Sequence, residues 1–495
     1  NGRGILQNTN LKSTLIEHTL NYNNKVGIGM LDALVGYSYQ RYQNFSDVNI
    51  GWGQKVGSFK KDMDAFANHL PYINGDSTRS ELQSYFGRVN YSIADKYFFT
   101  GTLRVDGSTK FAKKNRYGYF PAFAFKWKLM NENFLSKDVF DDLSVRLNWG
   151  QTGNQEFPGL ATKAVSRRNY NGDVEQINAA NPNLKWETTM QYGIGLDYAI
   201  LKGRVSGSID YFNKETTDLL FYANYAQPAA AKRRWVNLPG KVKNTGVEFG
   251  INVLIVQRNA FTWESLYNMA FLKNRVEDFG DNNIQTGSIS GKGLSGAYSQ
   301  AIRNGYPLGS FYMQSAAGFD SQGHTIFLND GLLTMQGSAL PKFNFGWTNN
   351  FTYKNWNASL FVNGSSGFYV YNNTANALFS KATLAGGGNV DYKVFRSNEA
   401  KDNPPAVTTN YLEKGDFIRI SNFSVGYTFN LKPESKIRAL RLSLSGQNLF
   451  LFTDYSGLDP EVNTNKAIDG VPSIGIDYTA YPNPRTFTFG VNASF

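Results

Sequence analysis

Cysteine is absent from the 495 residues, and histidine is nearly so, with only His18, His69 and His324. The first absence removes disulfides and thiolate metal ligands, and the second leaves too few imidazoles for a histidine metal cluster. Long apolar runs are missing too. With a mean hydropathy of −0.40, no stretch is long enough to cross a bilayer as a helix. That absence does not exclude a membrane protein, because strands of a transmembrane barrel hide their hydrophobicity in alternation. Acidic residues are the minority, 39 against 50 lysines and arginines, giving a formal charge of +11. Such a balance could reflect contact with anionic lipid or polymer. Basic residues scattered through loops are the reading adopted, and no nucleic-acid partner is expected. The start, Asn1-Gly2-Arg3-Gly4, shows neither an initiating Met nor a signal peptide, so the chain is read as processed or as a fragment.

Aromatic residues are abundant. The 29 Tyr and 37 Phe, with 48 Gly, are unusual for a soluble enzyme. They suit strands whose outer face meets lipid and whose ends need aromatic girdles. The last 81 residues show the pattern most clearly. In 416–430, Phe423, Val425, Tyr427 and Phe429 share one face, with Asn422, Ser424, Gly426 and Thr428 on the other. The stretch 439–453 sets Leu440, Leu442 and Leu444 against Arg441, Ser443 and Ser445. The last stretch, 485–495, alternates Phe487, Phe489, Val491, Ala493 and Phe495 with small polar residues. Alternation over about ten residues is what a tilted strand needs to cross a bilayer. Phe495, in phase with the apolar face, is read as an assembly signal.

The same reading along the whole chain predicts about fifteen strands. They fall near 11–22, 29–43, 81–93, 97–108, 119–129, 143–151, 184–198, 204–216, 243–256, 260–272, 342–353, 356–370, 416–430, 439–453 and 485–495. Short turns such as Ala94-Asp95-Lys96, Leu201-Lys202-Gly203 and Lys354-Asn355 alternate with polar excursions at 44–80, 109–118, 152–183, 217–242, 273–341, 371–415 and 454–484. Connections sorted by length predict an all-β, antiparallel transmembrane barrel with its short turns on the periplasmic side. A soluble sandwich has no reason to sort its loops by end. Single-chain barrels usually have an even number of strands. An odd count therefore leads to the expectation that first strands lie outside these residues.

An ordered series of motifs goes further. It begins with Asp95-Lys96-Tyr97, Arg104-Val105-Asp106-Gly107-Ser108-Thr109-Lys110-Phe111, Phe120-Pro121, Asn148-Trp149-Gly150-Gln151-Thr152-Gly153-Asn154-Gln155 and Asn181-Pro182-Asn183-Leu184-Lys185-Trp186-Glu187. It continues with Pro341-Lys342-Phe343, Gly415-Asp416-Phe417-Ile418-Arg419-Ile420, Gly446-Gln447-Asn448-Leu449-Phe450, Tyr455 to Glu461, and Tyr481-Pro482-Asn483-Pro484-Arg485-Thr486-Phe487. From about residue 80 onward this series resembles the barrel of the SusC/RagA family of TonB-dependent outer-membrane transporters of Bacteroidetes. The resemblance implies a 22-stranded barrel, of a size that holds a plug. Residues 1–495 would then be its C-terminal part, with the plug domain and first strands not among them. It implies import of oligosaccharides or oligopeptides together with a SusD-like surface lipoprotein. It also implies energy from the TonB–ExbB–ExbD complex acting through the N-terminal part, contact with outer-membrane lipid and lipopolysaccharide, and a dimer of transporter–lid pairs. The alternative from another class is a docking barrel in a larger outer-membrane assembly.

No catalytic role is assigned and no cofactor is expected. The three histidines, with Asp320 near His324, are read as coincidence rather than as a triad. Gly386-Gly387-Gly388 and Gly291-Lys292-Gly293 lack the strand-to-helix setting of a phosphate loop and are read as flexible loop. Lys232-Arg233-Arg234-Trp235 could grip an anionic ligand, against a solvated loop. Candidate cargo-binding residues are the loop aromatics Trp52, Trp235, Tyr306 and Tyr312, with Phe66, Tyr72 and Phe311 in the same class. Their bland alternative is packing among the loops themselves.

Overall fold

A computed structural model describes residues 2–54, 68–70, 76–136, 138–168, 174–224, 228–229, 231–431, 436–468 and 470–495. One sheet of sixteen strands includes a short strand, Asn68–Leu70, paired only with the second strand; the other fifteen form a path in which each pairs with the next. They are β1 (Gly2–Val26), β2 (Gly29–Gln54), β3 (Asp76–Ile93), β4 (Tyr97–Ser108) and β5 (Tyr117–Lys128). Then come β6 (Phe140–Asn154), β7 (Glu187–Ile200), β8 (Val205–Asn224), β9 (Arg233–Arg258) and β10 (Phe261–Glu277). The series ends with β11 (Phe343–Tyr353), β12 (Trp356–Ser366), β13 (Phe417–Phe429), β14 (Ala439–Thr453) and β15 (Thr486–Ser494). All fifteen expected strands are present. Strands β1 and β15 are the two ends of the hydrogen-bonded path.

Two corrections concern strand length. Stretches expected to be loop at 44–80 and 217–242 are partly strand, because β2 runs on to Gln54, β3 starts at Asp76, β8 reaches Asn224 and β9 starts at Arg233. Likewise β1 starts at Gly2 rather than near residue 11. Beyond a bilayer both faces of a strand can be polar, so alternation fades while backbone pairing continues. Alternation therefore marks the lipid-spanning part and misses the projecting part.

The chain divides into two compact units. The first comprises 1–126, 148–191 and 216–240. Its strands show two faces. Tyr37 and Tyr85 are cross-strand partners with ring centroids 5.3 Å apart, and Tyr85 and Val89 are about half exposed. On the opposite face Asn90 donates to Asp32 at 3.1 Å and accepts from the Thr100 hydroxyl at 2.8 Å. A polar ladder backing an apolar face is the barrel arrangement of wet interior and lipid-facing exterior. The turn between β3 and β4 is closed by the Lys96 N–H donating to the Ile93 carbonyl at 2.9 Å. Ala94 and Asp95, the first two of the three turn residues, both take φ of 53° there, the left-handed conformation that matches strand twist.

The second unit comprises 127–147, 192–215 and 241–495. On β10 and β11, Tyr267 stacks on Trp347 at 5.7 Å and Trp263 on Phe351 at 5.6 Å. The interior face carries charge, with Arg146 of β6 bonded to both Asp197 of β7 and Asp210 of β8 at 2.8 Å. On β15, an end strand of the sheet, both faces are exposed, with Phe487, Phe489 and Val491 more than 60% so and Phe495, just past its end, 77%.

Candidate functional site

The excursions between β10 and β11, β12 and β13, and β14 and β15 are folded bodies, not free loops. The first holds a four-stranded antiparallel sheet of Asn283–Ser288, Tyr298–Arg303, Ser310–Gln314 and Leu333–Ser338. In the second, Tyr369–Asn372 pairs antiparallel with Leu412–Lys414 and parallel with Ile476–Asp477 of the third. One apolar cluster joins all three, through Phe311 and Met313, Tyr371 and Val407, and Ile476. Tyr371 is fully buried, and burial raises its phenol well above the ordinary range while its hydroxyl accepts from the Asn376 amide at 2.7 Å. Polar ties reinforce the cluster. The Gln300 amide donates to the Ile474 carbonyl at 2.7 Å, and the Lys466 ammonium to the Ser290 hydroxyl at 2.6 Å, 4.0 Å above the Tyr478 ring.

The motifs of the last third converge on Arg419. This side chain, 4% exposed, forms ion pairs with Asp459 at 2.7 Å and Glu461 at 2.9 Å and donates to the Asn448 side chain. Asn448 in turn donates to the Asn483 carbonyl at 2.6 Å, so four separate motifs meet at one guanidinium. Burial raises the Glu461 carboxyl above its ordinary value, and Arg419 opposes that rise. Arg419 faces inward because of a bulge. Adjacent Phe361 and Val362 of β12 pair with Asn422 and Ile420 of β13, leaving Ser421 extra. One unpaired residue moves every later side chain to the opposite face. Ile418 and Phe423 are therefore both exposed, while Phe417 and Arg419 are buried.

In the first unit the earlier motifs meet in a cluster of Phe111, Phe120, Phe157, Leu184 and Trp186. Trp235 packs against this cluster, stacking on Tyr222 at 5.4 Å and lying 5.8 Å from Phe157. It belongs to β9 rather than to a loop, and its packing is the bland alternative given above. Trp52 lies in β2 opposite Arg3, and its side chain is outside the described residues, as are Phe66 and Tyr72.

Tyr306 and Tyr312 are brought to one place. The turn 278–282 and the turn 304–307 enclose a pocket of about 240 Å³ lined by Gly280, Asp281, Asn282, Arg303, Asn304 and Tyr306. The Arg303 guanidinium lies over the Tyr312 ring, 5.4 Å from its centre. Asn304 Oδ1 accepts from the Phe279 N–H at 3.3 Å, and Asn282 donates to the Phe279 carbonyl at 2.6 Å, so both turns are fixed to buried Phe279. Phe311 is fully buried in the apolar cluster, as packing rather than as a contact for cargo. Sequence reasoning found the tyrosines but missed Asp281 and Arg303, which stand 22 positions apart and form no motif.

His324 belongs to a turn. Asp320 accepts from the backbone of Gln322 at 2.8 Å and of His324 at 2.9 Å, and these bonds hold its carboxyl below the ordinary range. The imidazole lies 3.4 Å from Asp402. Among the described residues, no cluster of His, Asp and Glu could hold a metal ion.

A wall of sequentially paired strands, apolar on one face, with short turns at one end and folded excursions at the other, defines an outer-membrane β-barrel protein. Comparison with known proteins specifies the kind. The family model described as TonB dependent receptor-like, beta-barrel, matches residues 2–449. TonB-dependent receptor P3 of Formosa agariphila is 32% identical, covering 100% of this chain and 53% of its own length. TonB-dependent receptor SusC of Bacteroides thetaiotaomicron is 29% identical, covering 97% of this chain and 50% of its own. The solved structure of the RagAB peptide transporter has a TM-score of 0.81 at 21% identity, over 100% of this chain and 56% of that one. The chain belongs to the TonB-dependent receptor β-barrel family. It spans about half the length of the curated relatives it matches.

Proposed function

We propose that this chain forms the C-terminal wall and the outer loops of a TonB-dependent importer. Its cargo is an oligosaccharide or an oligopeptide, captured together with a SusD-like surface lipoprotein. The observation that carries the reading is the loop body, in which three excursions share one apolar core. A passive pore needs no such body, whereas a transporter that holds cargo and a lid needs a rigid surface at its outer end. The names of the relatives agree with this, since P3 and SusC are TonB-dependent receptors and RagAB is a peptide transporter. A plug and further strands, outside residues 1–495, would complete the barrel and carry the pull of TonB–ExbB–ExbD; a dimer of transporter–lid pairs fits the same scheme. Import of this kind is binding followed by gating, so no side chain needs a catalytic role.

Purification from native outer membranes in mild detergent, followed by mass spectrometry, tests the proposal. A stoichiometric lipoprotein and plug-domain peptides are expected, with cargo uptake lost in a TonB-deficient strain. Recovery of a stable set of other envelope proteins without a lid lipoprotein would move the chain to the docking-barrel class.

A further inference from the structure

Gln300, Asn373 and Asn376 show polar side chains of the loop body bonded within it, and the pocket at Tyr306 differs. Among the described residues, no hydrogen bond or ion pair engages the side chains of Asp281, Arg303 or Tyr306, although all three line one cavity. These side chains are reached by solvent and keep their hydrogen-bonding capacity free for a ligand that enters the concavity. We infer that this pocket is a subsite for one neutral sugar ring of the cargo, an assignment that rests on the import reading above.

The arrangement of donors and acceptors carries the inference. The turn 278–282 offers acceptors, the Asp281 carboxylate and the Asn282 Oδ1 that its amide bond to Phe279 leaves free. The turn 304–307 side offers donors, the Arg303 guanidinium and the Asn304 Nδ2 left when its oxygen accepts from Phe279. Tyr306, 41% exposed, adds a hydroxyl that serves either role and a ring face for stacking. Neighbouring sugar hydroxyls each donate and accept, so a ring bridges the two walls. The charges of opposite sign balance, so the pocket as a whole favours no single charge on the cargo. No aliphatic residue lines the pocket, so it offers nothing to an apolar peptide side chain. Its volume of about 240 Å³ is below the range for a whole ligand and suits one ring of a chain. Tyr312 beneath the guanidinium holds Arg303 in place before cargo arrives.

The test uses the complete transporter, purified from its outer membrane in mild detergent. Titration calorimetry is run with maltohexaose, xylohexaose and laminarihexaose, and with a mixed pool of oligopeptides. One hexasaccharide is expected to bind, and Asp281→Asn and Arg303→Met are each expected to weaken it at least tenfold with unchanged melting temperature. Arg303→Lys should recover part of the loss, because it restores the charge without the planar fork. Oligosaccharide binding that both variants leave intact would overturn the subsite while import stands. Peptide binding without sugar binding would overturn it too. If neither class binds, and TonB-dependent uptake of both is absent, the import reading falls and the subsite with it.

Discussion

Arg419→Met removes the guanidinium at which the C-terminal motifs meet while keeping an unbranched chain of similar length. Asp459, 3% exposed, then loses its ion pair and keeps only its bonds from the Glu461 N–H at 2.9 Å and the Asn483 amide at 3.3 Å. Breaking a buried pair by removing one partner costs about 3–5 kcal/mol, because the surviving charge stays desolvated. That is roughly a hundred- to several-thousand-fold in the folding constant. The assay is urea unfolding in detergent micelles, followed by tryptophan fluorescence, with limited proteolysis of 454–485 as a local readout. A second substitution, Asp459→Leu in the Arg419→Met background, removes the stranded charge and should recover much of the loss. pH supplies a further check. Glu461 holds its proton more tightly folded than unfolded, so its contribution is greatest in acid and falls as pH rises through its raised native value. Without Arg419 that value rises further, so the deficit of the variant should grow from acid to neutral pH. A single variant as stable as the parent, or a double variant no better than the single, would refute the reasoning.

Four other outcomes follow from named contacts. Deleting Ser421 removes the bulge and turns Arg419 toward lipid, which costs about 2–4 kcal/mol for a midplane Arg and less toward the interface; loss of heat-modifiable migration of the folded barrel on gels is expected. Gly153→Ala places a Cβ within 2.1 Å of the Phe120 ring and 3.0 Å of Trp186. Overpacking of that kind costs about 1–3 kcal/mol, read as a lower urea midpoint. Trp235→Ala should lose about 2–4 kcal/mol, somewhat under the range for a fully buried Trp, and leave cargo affinity unchanged in calorimetry. Removing Phe495 is expected to lower the fraction of chain assembled in the outer membrane, with little effect on the stability of molecules that do assemble.

The wall was legible because lipid imposes a period of two. A residue such as Tyr85 or Phe489 must be apolar on the outward face, and its neighbours need not be. Where strands leave the bilayer that pressure ends, and the outer parts of β2, β8 and β9 read as loop although their backbones stay paired. The loop body was hidden for a related reason. Its core is assembled from Phe311, Tyr371, Val407 and Ile476, which lie on three excursions and show no local period. Trp235 shows the limit of reading by residue type, since a tryptophan beside two arginines resembles a ligand grip until Tyr222 and Phe157 are seen around it.

The bulge at Ser421 links the two kinds of legibility. Read backward from Phe423, Val425 and Tyr427, strict alternation would point Phe417 and Arg419 at lipid and Ile418 and Ile420 inward. The extra residue reverses this, so the apolar pair faces out and the charged residue faces the loops. A Gly-Asp-Phe-Ile-Arg-Ile motif is therefore two patterns joined, one written for the membrane and one for the loop body. Arg419 carries the second. It ties β13 to the excursion 454–485 through Asp459 and Glu461, and the same excursion reaches the sheet holding Arg303 through the Gln300–Ile474 bond. Wall and candidate sugar subsite are thus connected through buried polar contacts, each of which keeps its partner satisfied only while the outer loops stay folded.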